Sequence, residues 1–252
     1  MSERPSAAES ALGKGLLVLE GLAHAGGPVR LSALASQLDL QKSAVHRILQ
    51  TLTDAGFAVQ DVDTGLYRAT LKVWELGTGV AGALPVKQAA TTVLQELHRL
   101  TAETVSLTVL DGDDVLYLDK LLAPRPMGFT TRVGARVPAP LTVGGRALLA
   151  YEPDAEAVID RVLAARGDDA FDREKALADI DSARADGYVV GHGRSERGIV
   201  GIATAVPGDD GRAVAGLTVS APRQRMDAER QREVVEALLE AAARLGEAVG
   251  RT

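Results

Sequence analysis

The chain has no cysteine in its 252 residues, so disulfides, thiolate metal sites and cysteine nucleophiles are excluded. Its four histidines, His24, His46, His98 and His192, lie far apart and no two of them show metal-ligand spacing. No apolar run approaches the length needed to span a bilayer. The polar start MSERPSAAES is not followed by the apolar stretch of a signal peptide, which predicts a cytoplasmic protein with no membrane partner. A general excess of basic residues is missing too: the formal net charge is −6. The first 83 residues hold seven Lys/Arg against eight Asp/Glu, so that deficit sits mostly beyond them. Net charge is a weak test for phosphate binding, which needs only a local basic face.

What remains is the composition of a globular chain, 46% apolar and 25% charged, long enough for one large or two ordinary domains. Segment 12–25 places Leu12, Leu16, Leu19 and Leu22 on one helical face and stops at Gly26–Gly27–Pro28. A second short helix is predicted over "VRLSALASQLDL", with Ser32 as its N-cap. After a tight break at 39–41, "LQKSAVHRILQTL" carries Val45, Ile48, Leu49 and Leu52 at i, i+3, i+4, i+7. Its other face carries Lys42, Ser43, His46, Arg47 and Gln50. Two helices joined so tightly predict a helix-turn-helix, whose second helix enters the DNA major groove.

"FAVQDVDTGLYRA" then reads as a β-hairpin around a turn at 61–65. A hairpin directly after a helix-turn-helix makes a winged helix, with Arg68 and Lys72 placed for phosphates. An amphipathic helix with a polar outer face is usually only solvated. The order of the elements is what turns this one toward DNA.

Gly77–Thr78–Gly79–Val80–Ala81–Gly82 matches G-x-G-x-x-G. A dinucleotide site needs a strand before those glycines and a helix opening at them. The preceding "LKVWELG" has helical spacing, so glycines in a linking helix fit better. Residues 85–104 predict a strong helix with His98 on its solvated side. Residues 104–122 predict a hairpin turning at Asp111–Gly112–Asp113, aspartates favoured there for backbone reasons. Helices follow over "GGRALLAYE", "DAEAVIDRVLAAR" and "DREKALADIDSARADG", and the acidic runs 168–174 and 179–186 read as caps and solvated faces. Strands return at "YVVG", "GIVGIATAV" and "RAVAGLTVSA", before a closing helix. Strict βαβ alternation is absent, which predicts an α+β domain with a mostly antiparallel sheet. No catalytic constellation is readable, and "GRSER" lacks both glycines of a nucleophile turn.

Residues 31–77 resemble the N-terminal winged helix of the IclR family of bacterial transcriptional regulators nearly throughout. "GARVPAPLTVGGRALLA", "DGYVV", "GIVGIATAV" and "AVAGLTVSAP" are similar to successive motifs of that family's C-terminal domain. The resemblance runs in order over about residues 10 to 248. It implies a winged helix-turn-helix over 10–70, a linker helix over 71–84 and a GAF-like effector-binding domain over 85–252. It also implies a double-stranded DNA operator, a small-molecule effector, commonly an organic or aromatic acid, and a homodimer or a tetramer made of two dimers. No cofactor is implied.

Carried over by position, the family's pocket would be lined by Phe129, Val137, Gly144, Gly145, Gly191, Ile199, Gly201, Thr218 and Ser220. Family members often have an acidic residue at 191, a cysteine at 201 and Gly-Lys at 145–146. The glycines here predict added volume and a bulkier, more apolar ligand, packed by Phe129. The hydroxyls of Thr218 and Ser220, with N–H groups at Gly144–Gly145, would hold its carboxylate. Competing readings are a nucleotide-dependent oxidoreductase through Gly77–Gly82, a hydrolase using Ser195 or Ser220, and a winged helix that contacts protein.

Overall fold

The computed structural model describes residues 10–125, 131–167, 171–191 and 198–250, and separates into two compact units, Met1–Ala83 and Leu84–Thr252. In the first, helix α1 (Ala11–His24) starts at Ser10, whose hydroxyl accepts from the Gly13 N–H at 2.9 Å. Helix α2 covers Leu31–Gln37 and α3 covers Lys42–Asp54. Ser32 is not the cap of α2, as its residue type suggests. Val29 pairs with Tyr67 in a two-way backbone bridge, which keeps the chain extended up to Arg30, and the helix begins at the next residue. Between α2 and α3 the backbone turns through Asp39 at φ 51°, a left-handed conformation that Asp tolerates better than most residues.

Val45 and Leu49 of α3 are wholly buried against Val18 and Leu22 of α1 and Leu34 of α2. Each such side chain contributes about 1.5–3 kcal/mol by leaving water, so this stripe fixes which face of α3 points outward. Strands β1 (Ala58–Gln60) and β2 (Tyr67–Ala69) form the expected antiparallel hairpin. The turn is built by Asp61, whose carboxylate accepts from the Thr64 N–H and hydroxyl at 2.8 and 2.7 Å. These bonds hold its pKa below the ordinary carboxylate value. Helix α4 (Leu71–Gly82) closes the unit.

The second unit is built on one six-stranded sheet in the order β5-β4-β3-β8-β7-β6, every pairing antiparallel. The strands are β3 (Thr104–Asp111), β4 (Asp114–Leu121), β5 (Arg136–Pro138), β6 (Val189–Gly191), β7 (Ile199–Pro207) and β8 (Ala213–Pro222). Helices α5 (Pro85–Thr101) and α9 (Ala228–Gly250) cover one face, burying Leu94, Leu97, Leu238 and Leu245 against Leu107, Leu217 and Val219. On the other face lie α6 (Val143–Leu149), α7 (Ala155–Arg166) and α8 (Arg173–Asp186). The α+β expectation with a mostly antiparallel sheet is met.

Three details depart from the sequence reading. His98 is not merely solvated: its Nε2 lies 2.9 Å from the Leu122 carbonyl oxygen, tying α5 to the end of β4. The hairpin aspartates do more than favour a turn, since Asp113 accepts a two-pronged bond from Arg161 at 2.7 and 3.0 Å and Asp111 pairs with Arg136. Asp179, read as part of a solvated acidic face, is buried.

Candidate nucleic-acid interface and ligand site

In the first unit, Lys42, Ser43, His46, Arg47 and Gln50 are all exposed on α3, opposite buried Val45 and Leu49. Lys42 is the first helical residue, and no acidic side chain stands in that first turn. The first-turn N–H groups, of which that of Ala44 already donates to the Gln41 carbonyl at 3.0 Å, and the positive end of the helix dipole therefore sit beside the basic face. Arg68 is exposed on β2, across the ladder from Val59. Lys72, expected to contact phosphate, is exposed and also makes a local contact. Its ammonium donates to the Ala55 carbonyl at 2.8 Å, capping the C-terminal end of α3, and lies 4.8 Å from the Phe57 ring centroid. That is the end of α3 remote from Lys42 and Ser43.

The Gly77–Gly82 run lies inside α4, with Gly77, Gly79 and Gly82 all helical. A strand running into a glycine turn is what a pyrophosphate site requires, and a continuous helix has neither the turn nor the free N–H groups. The dinucleotide reading is corrected on that geometry.

Beside α1, α3 and α4 lies an open apolar groove of about 960 Å³, lined by Leu12, Leu16, Leu19, Ile48, Phe57 and Leu76. Leu16 and Leu76 are about half exposed, at 51% and 58%. Trp74 on α4 is exposed too.

In the second unit, strand alternation puts Gly191, Ile199, Gly201, Thr218 and Ser220 on the face that α6 covers. Gly191, Gly201 and Ser220 form one row across β6, β7 and β8. The next row holds Val189, Ala203, Thr218 and Ser106 of β3. Val137 is not brought to this group. It lies on β5, at the opposite edge of the sheet from Gly191, and packs with Val115 and Leu148. Phe129 lies outside the described residues, as do His192 and Ser195. Ser220, the other suggested nucleophile, is half-buried on β8, and His98 belongs to the helix layer on the opposite face.

Glycines 144 and 145 are needed for contact. A Cβ on Gly144 would stand 2.7 Å from Thr218 Oγ1, and one on Gly145 would stand 2.1 Å from the Ala139 carbonyl oxygen. Real Cβ atoms never come so close, and the second neighbour is backbone, which cannot step aside cheaply. Gly145→Ala is expected to cost about 1–3 kcal/mol or more through overpacking, read as a lowered urea midpoint. The Gly145 N–H is also spoken for: it donates to Thr142 Oγ1 at 2.8 Å, as the helix cap. Only one of the two expected backbone donors is left.

The glycines at 191 and 201 do not open volume as expected. Val143 Cγ2 lies 3.3 and 3.1 Å from the positions their Cβ atoms would take, so the isopropyl group fills that space. With that space filled, the reason for a bulkier ligand disappears. Sequence reasoning also missed two groups on this face. Ser106 on β3 is buried directly across from Thr218, and its signal was available as a Ser in the strand alternation. Arg146, on α6, is only 6% exposed. Its Nη1 donates to the Pro140 carbonyl at 2.9 Å, and its Nε stands 2.9 Å from Asp179 Oδ2. Burial pushes its pKa down and Asp179 partly restores it.

The comparisons agree with both units. The IclR helix-turn-helix model matches residues 11–62, and the bacterial transcriptional regulator IclR C-terminal model matches 78–246. The HTH-type transcriptional regulator KdgR of Escherichia coli K12 is 31% identical over 236 residues, covering 91% of this chain and 89% of its own. The HTH-type transcriptional repressor AllR of the same strain is 28% identical over 226 residues, covering 87% and 83%. An IclR homolog from Microbacterium hydrocarbonoxydans, solved in complex with 4-hydroxybenzoate, superposes with a TM-score of 0.82 at 26% identity over 96% of this chain and 100% of its own. With both its units matched in order, this chain belongs to the IclR family of bacterial transcriptional regulators, a helix-turn-helix domain followed by the family's C-terminal effector-binding domain.

Proposed function

We propose that the chain is an operator-binding regulator whose affinity for double-stranded DNA is set by a small organic or aromatic acid bound beneath α6. It acts through DNA contact and not through chemistry of its own, and works in the cytoplasm. The observation that carries this is the outer face of α3, where Lys42, Ser43, His46, Arg47 and Gln50 are exposed together above the buried Val45 and Leu49. Among the described residues no helix is long and apolar enough to cross a membrane. The 4-hydroxybenzoate complex of the Microbacterium relative supports an aromatic acid as one candidate class.

The groove beside α1 supports a homodimer joined through the first unit. Leu12, Leu16 and Leu76 line it while largely exposed, Trp74 is exposed on the same helix as Leu76, and contiguous exposed apolar side chains of this kind mark interaction surfaces. A two-fold pair would set two α3 helices for half-sites one DNA turn apart, roughly 34 Å. Leu16→Glu with Trp74→Glu is expected to leave the first unit folded, shift its mass toward monomer in light scattering, and weaken operator binding. An unchanged mass would remove this face from the interface.

Binding to a fragment from upstream of the chain's own gene tests the DNA reading. The logarithm of the affinity should fall linearly with the logarithm of salt, with a slope of about −0.9 for each phosphate contacted. A winged helix that contacts only protein gives no such binding.

A further inference from the structure

We propose that Arg146 Nη2 is the anion anchor of the effector site, taking one carboxylate of an organic acid that enters beside Gly191. The proposal deepens the effector-binding reading above and rests on it. Arg146 is buried, yet its Nη2 has no hydrogen-bond partner among the described residues. Buried guanidinium N–H groups are almost always satisfied, because stripping them of water without a replacement is costly. Of the other two nitrogens, Nη1 donates to the Pro140 carbonyl, while Nε stands 2.9 Å from Asp179 Oδ2 in an ion pair that lacks hydrogen-bond alignment. The guanidinium is thus held by one hydrogen bond and one ion pair, while Nη2 finds no acceptor among the described residues.

What that prong faces is Gly191. A Cβ there would lie 3.2 Å from Nη2 and 3.6 Å from Asp179 Oδ2, so any side chain at 191 would occupy the approach to the guanidinium. Glycine puts no side chain of its own there, and Val143 is the group that fills the space in its place. Among the described residues Arg146 and Lys175 share the single carboxylate of Asp179, at 2.9 and 3.1 Å, which leaves one positive charge over, with Lys175 half in solvent. A monoanion balances it, and a carboxylate oxygen is the acceptor that a guanidinium N–H binds best. Val143, whose Cγ2 stands 3.3 Å from the same Cβ position, must turn about its Cα–Cβ bond as the acid enters. Asp179 acts as a positioning residue through its charge, its Oδ2 standing 2.9 Å from Nε.

The test uses the full chain and isothermal titration with matched pairs: pyruvate and pyruvamide, benzoate and benzamide, 4-hydroxybenzoate and 4-hydroxybenzamide. The expected result is that at least one acid binds while its amide binds tenfold or more weakly. Gly191→Asp places a carboxylate against Nη2 from within and should abolish that binding while the protein stays folded. The paired variant Arg146→Met/Asp179→Leu, which removes both buried charges together, serves as a second folded control and should also lose it. Arginine side-chain ¹⁵N spectra should show the Arg146 Nη signal shifting with the acid, which a purely structural guanidinium would not do.

Equal binding of an acid by wild type, Gly191→Asp and the paired variant would overturn the anchor and leave effector binding intact. An amide that binds as well as its acid would overturn the anionic class. If no acid of the panel binds at millimolar concentration, the anion site is overturned, and effector control is then judged separately by whether any metabolite extract changes operator affinity.

Discussion

Arg47→Ala is expected to weaken operator binding by about 2–6 kcal/mol in a dimer, since each bidentate arginine–base contact is worth about 1–3 kcal/mol and two copies are lost. That corresponds to a loss of roughly thirtyfold at the least. Arg47 is exposed in the middle of the outer face of α3, one turn beyond Ser43 and next to His46. Nothing in the buried stripe depends on its side chain, so the folding midpoint should stay within about 0.5 kcal/mol of wild type. Its backbone carbonyl, which accepts from the Thr51 hydroxyl at 3.0 Å, is kept by alanine. The manner of the loss identifies the contact. A base-reading arginine, when removed, relaxes sequence discrimination at one position of each half-site. A phosphate-binding one weakens all sequences alike and reduces the salt slope by about 0.9 per copy. Arg47→Lys separates these further, because an ammonium keeps the charge but not the planar fork. Gel-shift titrations against operator and mismatched sites at fixed salt supply the numbers.

The second large effect lies in the other unit. Asp179→Ala should destabilise it by about 3–5 kcal/mol, because removing one member of a buried ion pair strands the other charge without solvent. Arg146 and Asp179 have side chains 7% and 10% exposed, so little water reaches either. Lys175 also loses its bond to Asp179 Oδ1, but it is half in solvent and contributes little. Replacing both charges, as in Arg146→Met/Asp179→Leu, should be neutral or even stabilising, since neither desolvation cost is then incurred. Chemical denaturation of the three proteins decides the matter. If the single variant is as stable as the paired one, the pair is not isolated from water. A paired variant that folds well but no longer binds acid would explain why a costly buried arginine is kept.

These two regions differ in how far they could be read from residues alone. The face of α3 was legible because the pattern is local: apolar groups at helical spacing fix the inside, and whatever remains is outside. The hairpin was legible for the same reason, Asp61, Thr64 and Gly65 being turn residues whose bonds form within five positions. The bond that Lys72 makes to the end of α3 was not. Its partner, the Ala55 carbonyl, is 17 residues back, and no spacing rule connects a basic residue to a distant helix end. Asp179 was misread because it sits in a run of charged residues, which is the pattern of a solvated helix face. Its partner stands 33 positions earlier on a different helix, so only the packing of α8 against α6 reveals it.

Strand β5 escaped because three residues are too few to show alternation, and it lies in a stretch rich in proline and glycine. The glycines at 191 and 201 taught a different lesson. Their missing side chains were visible, but the valine that fills the space comes from α6. Volume is a property of neighbours, and neighbours across a sheet are not written in the local sequence.

The central claim is that an outward basic helix in one unit reads an operator under the control of a small acid in the other. Fluorescence anisotropy of the full chain on its own promoter fragment, against a shuffled duplex of the same composition, tests it most directly at physiological salt with and without the acid that binds in titration. The expected result is binding to the promoter at least about 10³-fold tighter than to the shuffled duplex, with the acid changing promoter affinity and leaving the shuffled one unaltered. Equal affinity for the two duplexes, or a promoter affinity indifferent to a bound acid, would contradict it.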